Sequence, residues 1–159
     1  MPQFSANIST LFCEYPPLER ITAARRAGFR AVEIQFPYDI PLEQWVAARR
    51  RAKIPVVLIN VPAGDLTTGG PGLAAVPGRE QAFRDAVREC ARYAKALSVR
   101  VVNVLAGAPP AGADRARCME RLVINLRHAA EVMSEIGVRV VTEPVNLRVR
   151  PGFLLSTSA

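Results

Sequence analysis

"VRVVTEPVNLRVRPG", residues 138–152, runs a β-branched stretch straight into a carboxylate and a proline. Val138, Val140, Val141 and Thr142 read as a buried strand with Glu143 at its tip. Pro144 supports this placement, because the residue before a proline is pushed toward extended geometry. A carboxylate at the end of an apolar strand suits a metal ligand, or a base that takes a proton from the carbon beside a carbonyl. The alternative is a solvated strand end that happens to be acidic.

Working outward, short β-branched runs alternate with amphipathic stretches. Strands are predicted at 3–8, 30–36, 54–60, 99–105 and 138–143. Helices are predicted at 16–28, 41–53, 79–97 and 113–136. The second carries Leu42, Trp45 and Val46 on one face, and the third Phe83, Val87, Cys90, Ala94 and Leu97. The fourth carries Met119, Leu122, Val123, Leu126, Ala130 and Met133. Five strands with four intervening helices mean βαβ units and a parallel sheet in an α/β fold. An open doubly wound sheet and part of a (β/α)₈ TIM barrel both satisfy this. No GxGxxG follows the first strand, and polar residues recur at strand ends (Asn60, Glu143, and Tyr38 with Asp39), as at the catalytic face of a barrel. The partial barrel is the expectation, with 1–159 as one N-terminal portion of a single domain.

The segment 61–78, "VPAGDLTTGGPGLAAVPG", has no clear periodicity and is rich in Gly and Pro. A loop of this length is expected to serve as an active-site lid. Its glycines are only loosely like a phosphate cradle, since no GK[ST] follows them.

Composition bounds the rest. The chain has 159 residues, half of them apolar, and no apolar run approaches the ~20 residues of a membrane span. The opening "MPQFSANIST" lacks the basic and apolar regions of a signal peptide, so a soluble, cytoplasmic protein without membrane contact is expected. Cys13, Cys90 and Cys118 are widely spaced and form no CxxC, so reduced thiols are expected, with Cys90 packing in its helix. The formal charge is +7, carried almost wholly by arginine. Arg49, Arg50, Arg51 and Lys53 cluster at a helix end, where the dipole favours cations. The other arginines are dispersed without interleaved aromatics, so no nucleic-acid partner is expected.

Asn7, Asn60 and Asn103 sit within or at the ends of apolar strands. They could orient hydroxyls of a polyol, or be satisfied polar core positions. Glu33 lies mid-strand and reads as a partner for an arginine. His128, the single histidine, falls on the polar side of its helix and reads as a surface residue.

The strings "FSANISTLF", "AVEIQFPYD", "NVPAGD", "AAVPGREQAFRDAV", "RYAKAL" and "TEPVNLRVRPGFLLST" together resemble the hydroxypyruvate isomerase family of xylose-isomerase-like barrels. The resemblance covers essentially the whole chain and extends to the 2-oxo-tetronate isomerases. It implies interconversion of hydroxypyruvate and tartronate semialdehyde through an enediol, in carbohydrate and glyoxylate metabolism. It also implies a divalent cation, commonly Mg²⁺. Glu143 matches the first of two family glutamates, as metal ligand and acid/base group. A complete barrel takes ~250 residues. The remaining ligands and the partner glutamate are therefore expected beyond Ala159, so that this fragment would neither hold the cation nor turn over a small hydroxy- or keto-acid substrate. A half-barrel kept as a binding or assembly module is the non-catalytic alternative. Open sheet edges lead to the expectation of a homo-oligomer or aggregation.

Overall fold

The computed structural model describes residues 3–158. Five parallel strands alternate with four α-helices: β1 (Ser5–Asn7), α1 (Pro17–Arg26), β2 (Ala31–Ile34), α2 (Leu42–Ala52), β3 (Val56–Asn60), α3 (Glu80–Leu97), β4 (Val101–Asn103), α4 (Arg115–Ser134) and β5 (Arg139–Val141). Every predicted element is present, trimmed by one or two residues at one or both ends. Among the described residues no helix is long and apolar enough to cross a membrane.

The strands lie side by side in chain order, β1-β2-β3-β4-β5. Consecutive helices also pack against one another, α1 on α2, α2 on α3 and α3 on α4. A doubly wound sheet would reverse its strand order and divide its helices between two faces. The unbroken order with one continuous helical layer is the arrangement of a (β/α) barrel. Of the two closures left open by the sequence, the structure takes this one.

Register then decides which side chains meet. Ile34, Ile59, Val102 and Val140 form one row across four strands and, with Ala6 and Val32, face the helices. Alternation puts the neighbouring rows on the opposite, inner face. One row is Asn7, Glu33, Leu58, Val101 and Arg139; the next is Asn60, Asn103 and Val141.

Asn60 reaches that face only through a bulge. Val32 pairs with Val56, but Glu33 pairs with Leu58, so Val57 is an extra residue in β3. Val56 and Ile59 are both buried although three residues apart. A one-residue shift flips every later side chain. Without it Leu58 and Asn60 would share the side of Val56.

The segment 61–78 is irregular apart from one 3₁₀ turn, as its lack of periodicity suggested, but it is packed against the body of the protein. The turn spans Gly64–Thr68, and the segment buries Leu66, Ala74 and Ala75. Asp65 is its hub: its carboxylate accepts from the Gly72 amide and from Arg79, each at 2.9 Å. Arg150 donates to the carbonyls of Leu66 and Gly70 at 3.0 and 2.9 Å. From α4, Asn125 donates to the Ala74 carbonyl at 2.8 Å.

That last bond corrects the predicted face of α4. The buried stripe is Cys118, Leu122, Asn125, Ala129 and Met133. Met119 and Val123 are exposed, together with Ile124. A polar residue in the buried stripe disguised its phase, because Asn125 is spent on the loop carbonyl.

Candidate active site

The C-terminal ends of the strands gather the polar residues of the inner face. Asn103 closes β4, and its Nδ2 donates to Glu143 Oε1 at 2.8 Å and to Asn60 Oδ1 at 3.1 Å. Asn60 and Asn103 are 4% exposed, whereas Glu143, two residues past the end of β5, is exposed. A buried amide floor thus carries a carboxylate that faces solvent. Thr142 fixes the approach of the chain to Glu143 through a 2.8 Å bond from its hydroxyl to the Val104 carbonyl. The Oδ1 of Asn103 is buried and has no hydrogen-bond partner.

Asn7 lies on the β1 side of the same face. Its Oδ1 accepts the Ser9 amide at 3.0 Å, and it is the register partner of Glu33 on β2, whose carboxyl its side chain lowers in pKa. Glu33 does not pair with an arginine as its sequence position suggested. Its carboxyl is held above the ordinary carboxylate range, first by burial and then by the charge of Glu143, against the lowering effect of Asn7. Glu33 thus stands on the same face as Glu143, close enough to sense its charge. Sequence reasoning missed Glu33 as a site residue. The available signal was its parity with Asn7, once β1 and β2 are paired.

Tyr38 does not join the site, and Asp39 is exposed at a separate cavity beside Ile8, Arg20 and Trp45. The Tyr38 hydroxyl donates to the Asn60 carbonyl, and its ring packs edge-on against Tyr93 of α3 at 5.0 Å between centroids. Burial drives its phenol well above the usual range, and pushes the adjacent Cys90 thiol up to about 12. Tyr38 is a brace between β3 and the helical layer, and Cys90 packs as expected. Cys13, Cys90 and Cys118 are all free thiols. His128 is half-buried, not a surface residue, and its Nε2 is buried without a partner. It stands three residues from buried Asn125, so it borders the packed stripe of α4.

A sequence profile for xylose isomerase-like TIM barrels matches residues 21–157. The chain belongs to the xylose isomerase-like TIM barrel family. Within the family it is 42% identical to the hydroxypyruvate isomerase of Escherichia coli, over 98% of this chain and 60% of that protein. It is 41% identical to the 2-oxo-tetronate isomerase of Cupriavidus necator, with the same coverage of each. A crystal structure described as an AP endonuclease of family 2 from Brucella melitensis superposes with a TM-score of 0.93 at 41% identity, covering 98% of this chain and 60% of that one. The chain therefore spans about 60% of the length of these relatives.

For a xylose isomerase-like barrel, the expected divalent cation can be tested against the donors present. Hard cations take six or more oxygen ligands, which Mg²⁺ shares between waters and one or two carboxylates. Among the described residues no three of His, Cys, Asp and Glu come together to hold a metal ion. Glu143 and Glu33, without a third such residue beside them, do not fit the group.

Proposed function

We propose that this chain is the N-terminal portion of an aldose–ketose isomerase acting on a short hydroxy-keto acid, with hydroxypyruvate and tartronate semialdehyde as the pair interconverted. The observation that carries the reading is the chain of hydrogen bonds Asn60–Asn103–Glu143 at the rim of β3, β4 and β5. It places one anchored carboxylate over a buried amide floor. The named activities of the E. coli and C. necator relatives support the same class.

In the proposed reaction Glu143 takes a proton from the carbon next to the substrate carbonyl. The electron pair moves into the carbonyl and gives an enediolate; a proton passes from the substrate's hydroxyl to the former carbonyl oxygen, and the proton held by Glu143 is returned at the neighbouring carbon. The bond to Asn103 leaves Glu143 Oε2 free for this transfer while holding the other oxygen in place. Orientation of this kind accounts for much of the rate of such reactions. Turnover, a cation with Glu143 as one ligand, and a second acid/base group are proposed for a barrel of the relatives' full length. By itself the 159-residue chain is proposed to show no isomerisation above background.

Assay of a chain completed by the remaining length of the E. coli relative, on hydroxypyruvate and on 2-oxo-tetronate side by side, tests the reading. Isomerisation of the former at the higher kcat/KM is expected. Preference for the latter moves the assignment to the tetronate isomerases, and turnover of neither overturns it.

A further inference from the structure

The hydrogen-bonding capacity left open on the inner face differs from one side to the other, and around Glu33, Asn103 and Glu143 it is mostly capacity to accept. Asn103 spends its Nδ2 on two acceptors, and its buried Oδ1 is unpartnered. Glu143 keeps one free oxygen. Asn7 gives its Oδ1 to the Ser9 amide, which leaves its Nδ2 for its register partner Glu33. Among the described residues no ion pair joins Glu33 to a cation.

On the β1–β2 side the face is rich in acceptors, while its donors, Asn60 Nδ2 and the exposed Arg139 guanidinium of the Glu33 row, stand toward β3 and β5. A ligand that matches the β1–β2 side brings hydroxyl groups. A second carboxylate brought against Glu33 and Glu143 would add a like charge and no donor. A hydroxyl both donates and accepts, so it pairs with Glu33 in either protonation state.

We propose that the Asn7–Glu33 pair is a hydroxyl-recognition subsite that takes the terminal hydroxymethyl of a short hydroxy-keto acid on the β1–β2 side of the inner face, and turns the substrate's own carboxylate away. The proposal rests on the isomerase reading for its substrate class and adds the orientation of the substrate. Asn7 acts as a positioning residue: with its amide fixed by Ser9, it aims Glu33 along the floor. Discrimination against substrates lacking that hydroxyl follows, because the analogue leaves a half-buried carboxylate without its donor.

Hydroxypyruvate and pyruvate differ by this one hydroxyl, and both can be titrated onto the chain of residues 1–159. The readout is the side-chain amide resonances of Asn7 and Asn103. The wild type is expected to half-saturate with hydroxypyruvate at a concentration about tenfold or more below that for pyruvate. Glu33→Leu should bring the two together, and Glu33→Gln, which keeps an acceptor of the same shape, should retain part of the gap. If the leucine variant does not fold, the glutamine variant decides by a narrowed ratio. Equal binding of the two acids by the wild type overturns the subsite. So does a full preference in either variant, or no response to either acid. Loss of turnover in Glu143→Gln of the completed chain, combined with discrimination indifferent to Glu33, overturns the subsite alone. A Glu33-dependent hydroxyl preference in a completed chain that never isomerises overturns the isomerase reading alone.

Discussion

Asn103 and Glu143 are joined by a 2.8 Å hydrogen bond, and the nitrogen that makes it also holds Asn60 at 3.1 Å. One buried donor thus serves two acceptors from neighbouring strands. Asn103→Asp keeps the shape but turns that donor into a third acceptor. Leaving buried polar groups unpaired costs about 1–3 kcal/mol, more when one is charged. Urea unfolding at pH 7 should show a loss of at least that order, with the m-value unchanged.

The rim loop gives a pH-dependent prediction. The Asp65 carboxyl is held below the ordinary range, first by its bond from Arg79 and then by the Gly72 amide. A carboxylate depressed in the folded state adds stability that is present above its unfolded pKa and lost as pH falls through the folded value. Asp65→Asn should therefore melt below wild type at pH 7. The gap should close as pH drops below about 4, the reference carboxylate range. Calorimetry at pH 7, 5 and 3 checks the trend; a constant gap would contradict the assignment.

Gly107 and Gly112 offer a matched pair. Both have positive φ, +90° and +77°, but a Cβ on Gly107 would lie 2.4 Å from the Pro71 carbonyl oxygen, while one on Gly112 would meet nothing within 4 Å. Gly112→Ala carries only the left-handed backbone cost of roughly 1–2 kcal/mol. Gly107→Ala must also push the rim loop aside, breaking the 3.0 Å bond from the Ala108 amide to the Pro71 carbonyl. Its loss of melting temperature should be clearly the larger.

Association is expected too. β1 and β5 each have one strand neighbour, and Phe4 and Val149 are 70% and 78% exposed. Unpaired edges beside apolar surface favour self-association. Light scattering should show mass rising with concentration, and a cooperatively melting monomer at all concentrations would contradict this.

What the sequence made legible followed from periodicity. The five strands, the four helices and the packed face of α3 could all be read from apolar spacing. The strand-end asparagines and Glu143 stood out as polar residues ending apolar runs. The bulge at Val57 could not be read, because "VVLIN" is apolar on both sides and shows no alternation to break. The stripe of α4 was misphased because Asn125 is buried for a hydrogen bond, which no hydropathy pattern reveals. Glu33 was assigned to an arginine because its partner, Asn7, is adjacent only after β1 and β2 pair. Tyr38 was grouped with the rim because a strand-end position does not tell which way the ring turns.

The central claim is that Glu143 moves a proton on the substrate. Its most direct test is exchange of the hydroxypyruvate C3 hydrogens with D₂O, followed by proton NMR, in the completed chain carrying Glu143→Gln or His128→Gln. General acid–base catalysis contributes ~10²–10⁴-fold. Exchange should therefore fall by at least that order in Glu143→Gln with the fold intact, and stay near wild type in His128→Gln, whose side chain lies on α4 away from the inner face. Near-normal exchange in Glu143→Gln, or a greater loss in His128→Gln, would contradict the assignment.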